Sequence, residues 1–138
     1  FRSYVSEKDP RNLKEAKNLT KFLDSIVFEN GFLHVIGNKG WYPKNETKAK
    51  YDQQPVDAGA MTELYAEAYA ITKEDYYKKR ALRSSYWFEG LNSEGLSLIS
   101  PEGRIYDGLE KRSVNLNKGA ESLLAYQMAA LSLNGLQS

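Results

Sequence analysis

Three acidic residues could contribute their carboxylates to a common site: Asp57, Asp107 and Glu121. Two carboxyl groups can hydrolyse a glycosidic bond when they lie about 5–5.5 Å apart for retention of configuration or about 6.5–9.5 Å apart for inversion. The sequence leaves these separations open, so the three residues are catalytic candidates without assigned roles. Asp57 also follows Pro55 by two residues at a predicted helix start, where the helix dipole favours an acidic residue even without a ligand.

Amide and aromatic side chains accompany these carboxylates. Aromatic rings stack on the faces of sugars, while carboxylates and amides exchange hydrogen bonds with vicinal hydroxyls. Ligand-free roles remain open, because Asp107-Gly108 is an ordinary turn pair, the asparagines could hold loop backbone, and Trp41 could pack against helix ends. The substrate-binding candidates are Trp41, Gln53, Gln54, Asp57, Tyr106, Asp107, Asn115, Asn117 and Glu121.

The composition argues against several other kinds of protein. The 138 residues carry 19 basic and 18 acidic side chains, mixed along the chain, and this balance disfavours binding to nucleic acid or to a membrane surface. There is no cysteine and one histidine, His34, so we expect no metal site and no cofactor. No signal peptide or membrane-spanning apolar run is recognised. We therefore expect a protein of the reducing cytoplasm.

Apolar residues at three- and four-residue spacing predict four helices. The predicted helices cover residues 10–29, 56–72, 74–91 and 118–134. We expect the second and fourth to be the more buried pair, because the fourth is apolar nearly all the way round. The two long connections, residues 31–43 and 96–108, are predicted to form short β-ribbons, the second with a type I turn at Ser100-Pro101-Glu102-Gly103.

A sixty-residue repeat relates the helices to one another. Gly59-Ala60 aligns with Gly119-Ala120 at this offset, and a ribbon-bearing loop precedes each pair. Such a unit predicts an all-α fold, a partial α/α toroid of helical hairpins with inner and outer helices and short β-ribbons in the long loops. Phe1–Val5 would align inside an inner helix. We therefore expect residues 1–138 to be one partial module, a fragment of a longer chain.

The longer motifs resemble a known module. "QQPVDAGAM", "TKEDYYKKRALRSSYWFEGLN", "YDGL" and "N-x-N-x-GAES-x-LAY", within about residues 38–133, are similar to the C-terminal α/α-toroid region of prokaryotic group-1 glycosyltransferase-type proteins. The resemblance implies that loops before the inner helices form a sugar-binding basin. The nucleotide-sugar-binding domains of such a glycosyltransferase are absent from this sequence, so we do not expect the chain to carry the transferase reaction.

Two functions follow as hypotheses. The first is a carbohydrate-binding or carbohydrate-processing module associated with a glycosyltransferase, with a sugar or oligosaccharide ligand. Catalysis by this chain alone is not expected, because an open basin admits water, which weakens pKa tuning and charge stabilisation. The alternative is a structural helical-repeat module that packs without a ligand. In either case we expect a homodimer through the exposed flank of the first or last helix, or packing against the missing hairpins of the parent.

Overall fold

The computed structural model describes residues 1–136, which form five helices and two small antiparallel sheets of two strands each. In each sheet a two-residue turn joins the two strands, so both sheets are β-hairpins. The elements in chain order are α1 (Arg2–Glu7), α2 (Pro10–Val27), β1 (Phe28–Glu29), β2 (Phe32–Leu33), α3 (Pro55–Thr72), α4 (Asp75–Ser85), β3 (Gly108–Glu110), β4 (Ser113–Asn115) and α5 (Ala120–Asn134).

The expectation of an all-α, partial α/α toroid is wrong. About half of the described chain is helical, and the two hairpins make the fold mixed α/β. The sequence pattern does not reveal the hairpin of β3 and β4, because its turn at Lys111 and Arg112 contains neither glycine nor asparagine. Arg112 nevertheless adopts a φ of 57°, a conformation that side chains other than glycine, asparagine and aspartate seldom take.

The hairpin of β1 and β2 lies earlier in the chain than the ribbon predicted at residues 31–43. Asn30 and Gly31 have φ values of 50° and 86°, and a type I′ hairpin turn has positive φ at both of its central positions. They therefore join two strands, and α2 ends at Val27 rather than at residue 29. The turn predicted at residues 100–103 is present, with the Gly103 N–H donating to the Ser100 carbonyl at 2.9 Å.

The third predicted helix is shorter than expected, since α4 ends at Ser85 rather than at residue 91. The chain continues in three-residue steps, with the Trp87 N–H donating to the Ser84 carbonyl and the Phe88 N–H to the Ser85 carbonyl. Trp87 and Phe88 are adjacent and both fully buried. The backbone that buries these two rings is therefore a series of turns rather than a continuation of α4.

Helix α3 is the centre of the core and packs against both α4 and α5. The prediction that the second and fourth helices are the more buried pair is correct for α3 and wrong for α5. Eight residues of α3 are buried, among them Tyr65, but only Ser122, Ala125 and Ala129 of α5. One side of α5 packs on the core and the other faces solvent. Helix α1, expected inside, has no buried residue.

A polar cluster fixes α2 against the core. Asp24 accepts a hydrogen bond from the Tyr65 hydroxyl at 2.9 Å and forms an ion pair with Arg80 at 2.7 Å. The Arg80 guanidinium also lies 4.0 Å from the centre of the Phe28 ring, close enough for a cation–π interaction. These contacts determine which side of α2 faces inward and leave Leu19 and Phe22 exposed.

We predict that Gly59→Ala destabilises the protein by about 1–2 kcal/mol, although alanine favours a helix over glycine by up to about 1 kcal/mol. A Cβ at Gly59 would lie 2.9 Å from the Ala125 carbonyl oxygen, so α3 and α5 would have to separate. Urea unfolding measures the change. Ala130→Val adds bulk at an exposed position of α5 and serves as the control, with an expected change within about 0.5 kcal/mol.

Candidate functional site

A polar cavity of about 410 Å³ opens at the N-terminal end of α5. The loop before α3, the outer ends of β3 and β4, and the first turn of α5 form its walls. Its lining is rich in carboxylate and amide groups and contains no basic side chain. The lining residues are Asn38, Asp52, Gln54, Asp107, Asn115, Gly119, Ala120, Glu121 and Ser122.

Asp107 connects this cavity to the start of α5. Its Oδ1 accepts hydrogen bonds from the Gly119 N–H at 2.7 Å and from the Ser122 hydroxyl at 2.6 Å. Gly119 occupies the capping position and has no side chain, so the Asp107 carboxylate holds the start of α5 through the Gly119 N–H and the Ser122 hydroxyl. Within the described residues Oδ2 has no hydrogen-bond partner. It is therefore the Asp107 atom that can accept a hydrogen bond from a ligand.

Asp52 and Gln54 form the opposite wall. The Gln54 side-chain amide donates to Asp52 Oδ1 at 2.9 Å, and the Asn38 N–H donates to the Asp52 carbonyl at 3.0 Å. Gly108 lies in close contact with this wall. A Cβ on Gly108 would be 3.0 Å from Asp52 Oδ1 and 3.3 Å from Gln54 Nε2. Gly108 thus allows a close approach of two segments and begins β3, whereas the sequence suggested an ordinary turn.

Gln53 faces away from the cavity and lies in the core. Its backbone pairs with that of Leu109 at 2.9 and 3.1 Å, and successive residues of an extended segment point to opposite sides. Its side-chain amide donates to Ser93 Oγ at 2.8 Å and to the Lys50 carbonyl at 3.0 Å, and Trp87 Nε1 donates to its carbonyl oxygen at 3.2 Å. The amide is thus occupied within the protein.

Asp57 and Glu121 occupy the first turns of α3 and α5, which the close contact at Gly59 brings together. Partial burial raises the pKa of Asp57, and the negative charge of Glu121 raises it further. Among residues 1–136 neither carboxylate makes a side-chain hydrogen bond or ion pair. The two groups are therefore close enough to repel each other and open to a ligand.

A second cavity of about 490 Å³ adjoins the first, since Asn38 lines both. Most of its wall is apolar, and Asp57 and the ring of Trp41 lie at its edge. Trp41 has a φ of 56°. The residue is 65% exposed, so its ring is available for stacking. The lining residues are Leu23, Val27, Val35, Ile36, Asn38, Trp41, Tyr42, Asp57, Ala60 and Met61.

The structure thus brings together six of the nine predicted binding residues. Four line the polar cavity: Gln54, Asp107, Asn115 and Glu121. Two line the adjoining apolar cavity: Trp41 and Asp57. The remaining three, Gln53, Tyr106 and Asn117, line neither.

Tyr106 and Asn117 have structural contacts instead. The Lys118 ammonium lies 5.3 Å from the centre of the half-buried Tyr106 ring, and the Asn117 backbone N–H donates to Asn115 Oδ1 at 3.1 Å. The Asn117 carbonyl accepts from the Asp107 N–H at 2.9 Å. Both residues therefore support the loop that carries Asp107. Sequence reasoning missed three polar residues of the cavity lining, Asn38, Asp52 and Ser122. For Asp52 the available signal was its position directly before two glutamines.

The described residues hold no group of three or more histidine, cysteine or acidic side chains that could bind a metal ion. Within the same part of the chain, no helix is both long and apolar enough to cross a membrane. No protein-family model matches the chain, and no curated protein matches it either. A function for this chain is therefore inferred from the geometry of the two cavities.

Proposed function

We propose that the chain binds a neutral carbohydrate across the two adjoining cavities. The observation that carries the proposal is the juxtaposition of a polar cavity rich in hydrogen-bond acceptors with an apolar one edged by the exposed Trp41 ring. Sugars present the same division, with hydroxyls at the ring edge and C–H groups on the ring face. A sugar hydroxyl can donate to Asp107 Oδ2 or to Glu121, and a ring face can lie on Trp41.

The charge of the lining favours neutral ligands over anionic ones. No basic residue lines either cavity, whereas the carboxylates of Asp52, Asp57, Asp107 and Glu121 do. An anionic group placed there would meet like charges without a compensating cation. Phosphorylated sugars and uronates are accordingly poor ligands in this proposal.

Calorimetric titration with a neutral hexose, its disaccharide and the corresponding uronate tests the function. At about −0.3 kcal/mol per non-hydrogen atom, a hexose should bind with a Kd of about 2 mM, and the uronate about tenfold more weakly. Equal affinity for the neutral sugar and the uronate would contradict the charge argument. No binding by any sugar of a broad neutral panel would overturn the proposal.

Asp57→Asn is predicted to weaken sugar binding about tenfold or more, because a charged acceptor for a sugar hydroxyl is lost. Stability should change by no more than about 0.5 kcal/mol, since asparagine removes the repulsion from Glu121 and is tolerated at a helix start. Titration with the neutral disaccharide measures the loss. The control is Glu63→Gln, which removes an unpaired carboxylate of α3 outside both cavities and should leave affinity unchanged.

The same variant has a pH signature. The folded-state pKa of Asp57 is raised, so its contribution to stability is fully present below the unfolded-state pKa and is lost as pH rises through the folded-state value. As pH rises from the unfolded-state pKa of Asp57 to its folded-state pKa, the wild-type protein should therefore lose stability relative to Asp57→Asn. A stability difference between the two proteins that stays constant at all acidic pH values would contradict the raised pKa of Asp57.

Catalysis by this chain alone is not part of the proposal. Asp57, Asp107 and Glu121 remain the carboxylates that a bound sugar would meet, and Asp107 is already committed to the start of α5. The association with a glycosyltransferase rests on the sequence resemblance. The absence of cysteine from the 138 residues fits a reducing compartment, so we assign the protein to the cytoplasm within this proposal.

The second candidate function is packing without a ligand. It is favoured by one observation, the exposed apolar side of α5, where Leu124, Met128 and Leu131 are each more than half exposed. Exposed apolar surface of this kind often marks a protein interface. The sugar titration separates the two functions, because a packing module has no reason to distinguish a neutral sugar from a uronate.

A further inference from the structure

A third cavity, of about 550 Å³, lies beside α2 and adjoins the apolar one. Tyr42 lines both of these cavities, just as Asn38 lines both the polar cavity and the apolar one. The polar cavity and the third cavity share no lining residue. The three cavities therefore follow one another in a row, with the apolar cavity in the middle.

Aromatic rings and free hydroxyl groups line the third cavity. Phe22 is 62% exposed and Tyr42 is 44% exposed, so both rings can pack on the face of a sugar. Within residues 1–136 the hydroxyls of Tyr42 and Thr47 make no hydrogen bond, and a hydroxyl both donates and accepts. The lining thus offers ring faces and hydroxyl partners side by side, which are the two kinds of contact that a further sugar unit makes.

The charged groups of the third cavity are already paired with each other. Lys48 Nζ forms an ion pair with Glu29 Oε1 at 2.5 Å and donates to the Ile26 and His34 carbonyls, each at 2.8 Å. An ammonium group has three N–H donors, so these three acceptors leave none for a ligand. The hydrogen bond from Lys48 also lowers the pKa of Glu29, which keeps this carboxylate ionised as an acceptor. The cavity therefore offers an anionic ligand no free cation and suits a neutral one.

Lys48 also holds the wall of this cavity in place. Its side chain is only 9% exposed, and its contacts tie the loop of Tyr42 and Thr47 to the last turns of α2 and to the chain directly after β2. A wall that is fixed before the ligand arrives loses little conformational freedom on binding. The third cavity is thus preformed.

We propose that the ligand is a linear neutral oligosaccharide of at least three sugar units, one in each cavity, with the third unit against Phe22, Tyr42 and Thr47. This inference rests on the proposed function and adds to it a chain length and a third binding position. The volumes of about 410, 490 and 550 Å³ fall within the range of about 300–1,000 Å³ that is usual for small-molecule sites. Each cavity can therefore hold at least one unit.

Calorimetric titration with oligomers of one, two and three units tests the chain length. The probes are built from glucose, galactose, mannose or N-acetylglucosamine. In the series that binds most tightly, the trisaccharide is expected to bind about tenfold more tightly than the disaccharide, because it adds a ring contact and a hydrogen bond.

Two variants locate the third unit. Phe22→Ala is expected to weaken trisaccharide binding about fivefold and Thr47→Val about threefold. Both should leave the disaccharide affinity unchanged, because neither residue lines the polar or the apolar cavity. Both residues are exposed, so neither variant should lose its fold. The control is Leu19→Ala, which shortens another exposed side chain of α2 outside the three cavities and should keep the full gain.

The outcomes separate this inference from the proposed function. A disaccharide that binds as tightly as the trisaccharide would overturn the third position and leave the proposed function intact. A tenfold gain that survives both Phe22→Ala and Thr47→Val would also overturn it, because the third unit would then lie elsewhere. If no oligomer of the four series binds, the proposed function fails and the inference fails with it.

Discussion

Replacing Gln53 by alanine is expected to lower the free energy of unfolding by about 2–4 kcal/mol while leaving sugar affinity unchanged. The substitution removes a fully buried side chain and leaves the Trp87 indole N–H and the Ser93 hydroxyl without their partner. A buried donor that loses its acceptor costs the whole desolvation of that group. Urea unfolding gives the first quantity, and titration of the folded variant gives the second.

Gln54→Ala is the matched control, one residue along the chain. Its half-exposed amide contacts Asp52 at the cavity wall, so its loss should cost less than about 1 kcal/mol of stability and weaken sugar binding. The pair of variants thus separates the core role of Gln53 from the cavity role of Gln54. The opposite result, weak binding in Gln53→Ala and unchanged binding in Gln54→Ala, would contradict the placement of the two side chains.

Asp107→Ala is expected to cost about 2–3 kcal/mol of stability and to abolish measurable sugar binding. The Gly119 N–H and the Ser122 hydroxyl would lose their common acceptor, and the first turn of α5 would fray. Because this turn carries Glu121, the cavity would lose two carboxylates at once. Unfolding curves and titrations of the same preparation measure both effects.

Asp107→Asn resolves the two roles of this residue. Asparagine retains an acceptor oxygen for Gly119 and Ser122, so stability should remain within about 1 kcal/mol of the wild-type value. The charged Oδ2 is replaced by an amide donor, so sugar binding should still weaken. If Asp107→Asn binds sugar as the wild type does, Asp107 acts only by holding the start of α5.

The helices were readable from the sequence because their signals are local. Pro55 fixes the first turn of α3, and the predicted range of 56–72 differs from the observed helix by one residue. The alignment of Gly59 with Gly119 supported the toroid prediction, which is wrong. Gly59 lies against α5, where a Cβ would be 2.9 Å from the Ala125 carbonyl oxygen, whereas Gly119 lies against Asp107. Spacing of apolar residues could not show that one side of α5 lacks a covering element, because that depends on the rest of the fold.

The β structure and part of the site depended on contacts between distant segments. Gly37, within the ribbon predicted at residues 31–43, packs against Tyr51, whose carbonyl oxygen leaves no space for a Cβ. Whether Gln53 or Gln54 faces the cavity is decided by pairing of Gln53 with Leu109, more than fifty residues away. Composition indicated which residue types were available for sugar binding, and only the tertiary pairing placed them.

Titration of isotopically labelled protein with a neutral disaccharide, followed by two-dimensional amide NMR, tests the proposed function most directly. The Gly119 amide proton, hydrogen-bonded to Asp107, reports on the polar cavity, and the Trp41 indole proton reports on the apolar one. We predict that both signals shift together with one saturation curve, and that they stay unchanged when the corresponding uronate is added at the same concentration. A titration that leaves both signals in place, or that moves only residues remote from the two cavities, would contradict carbohydrate binding at this site.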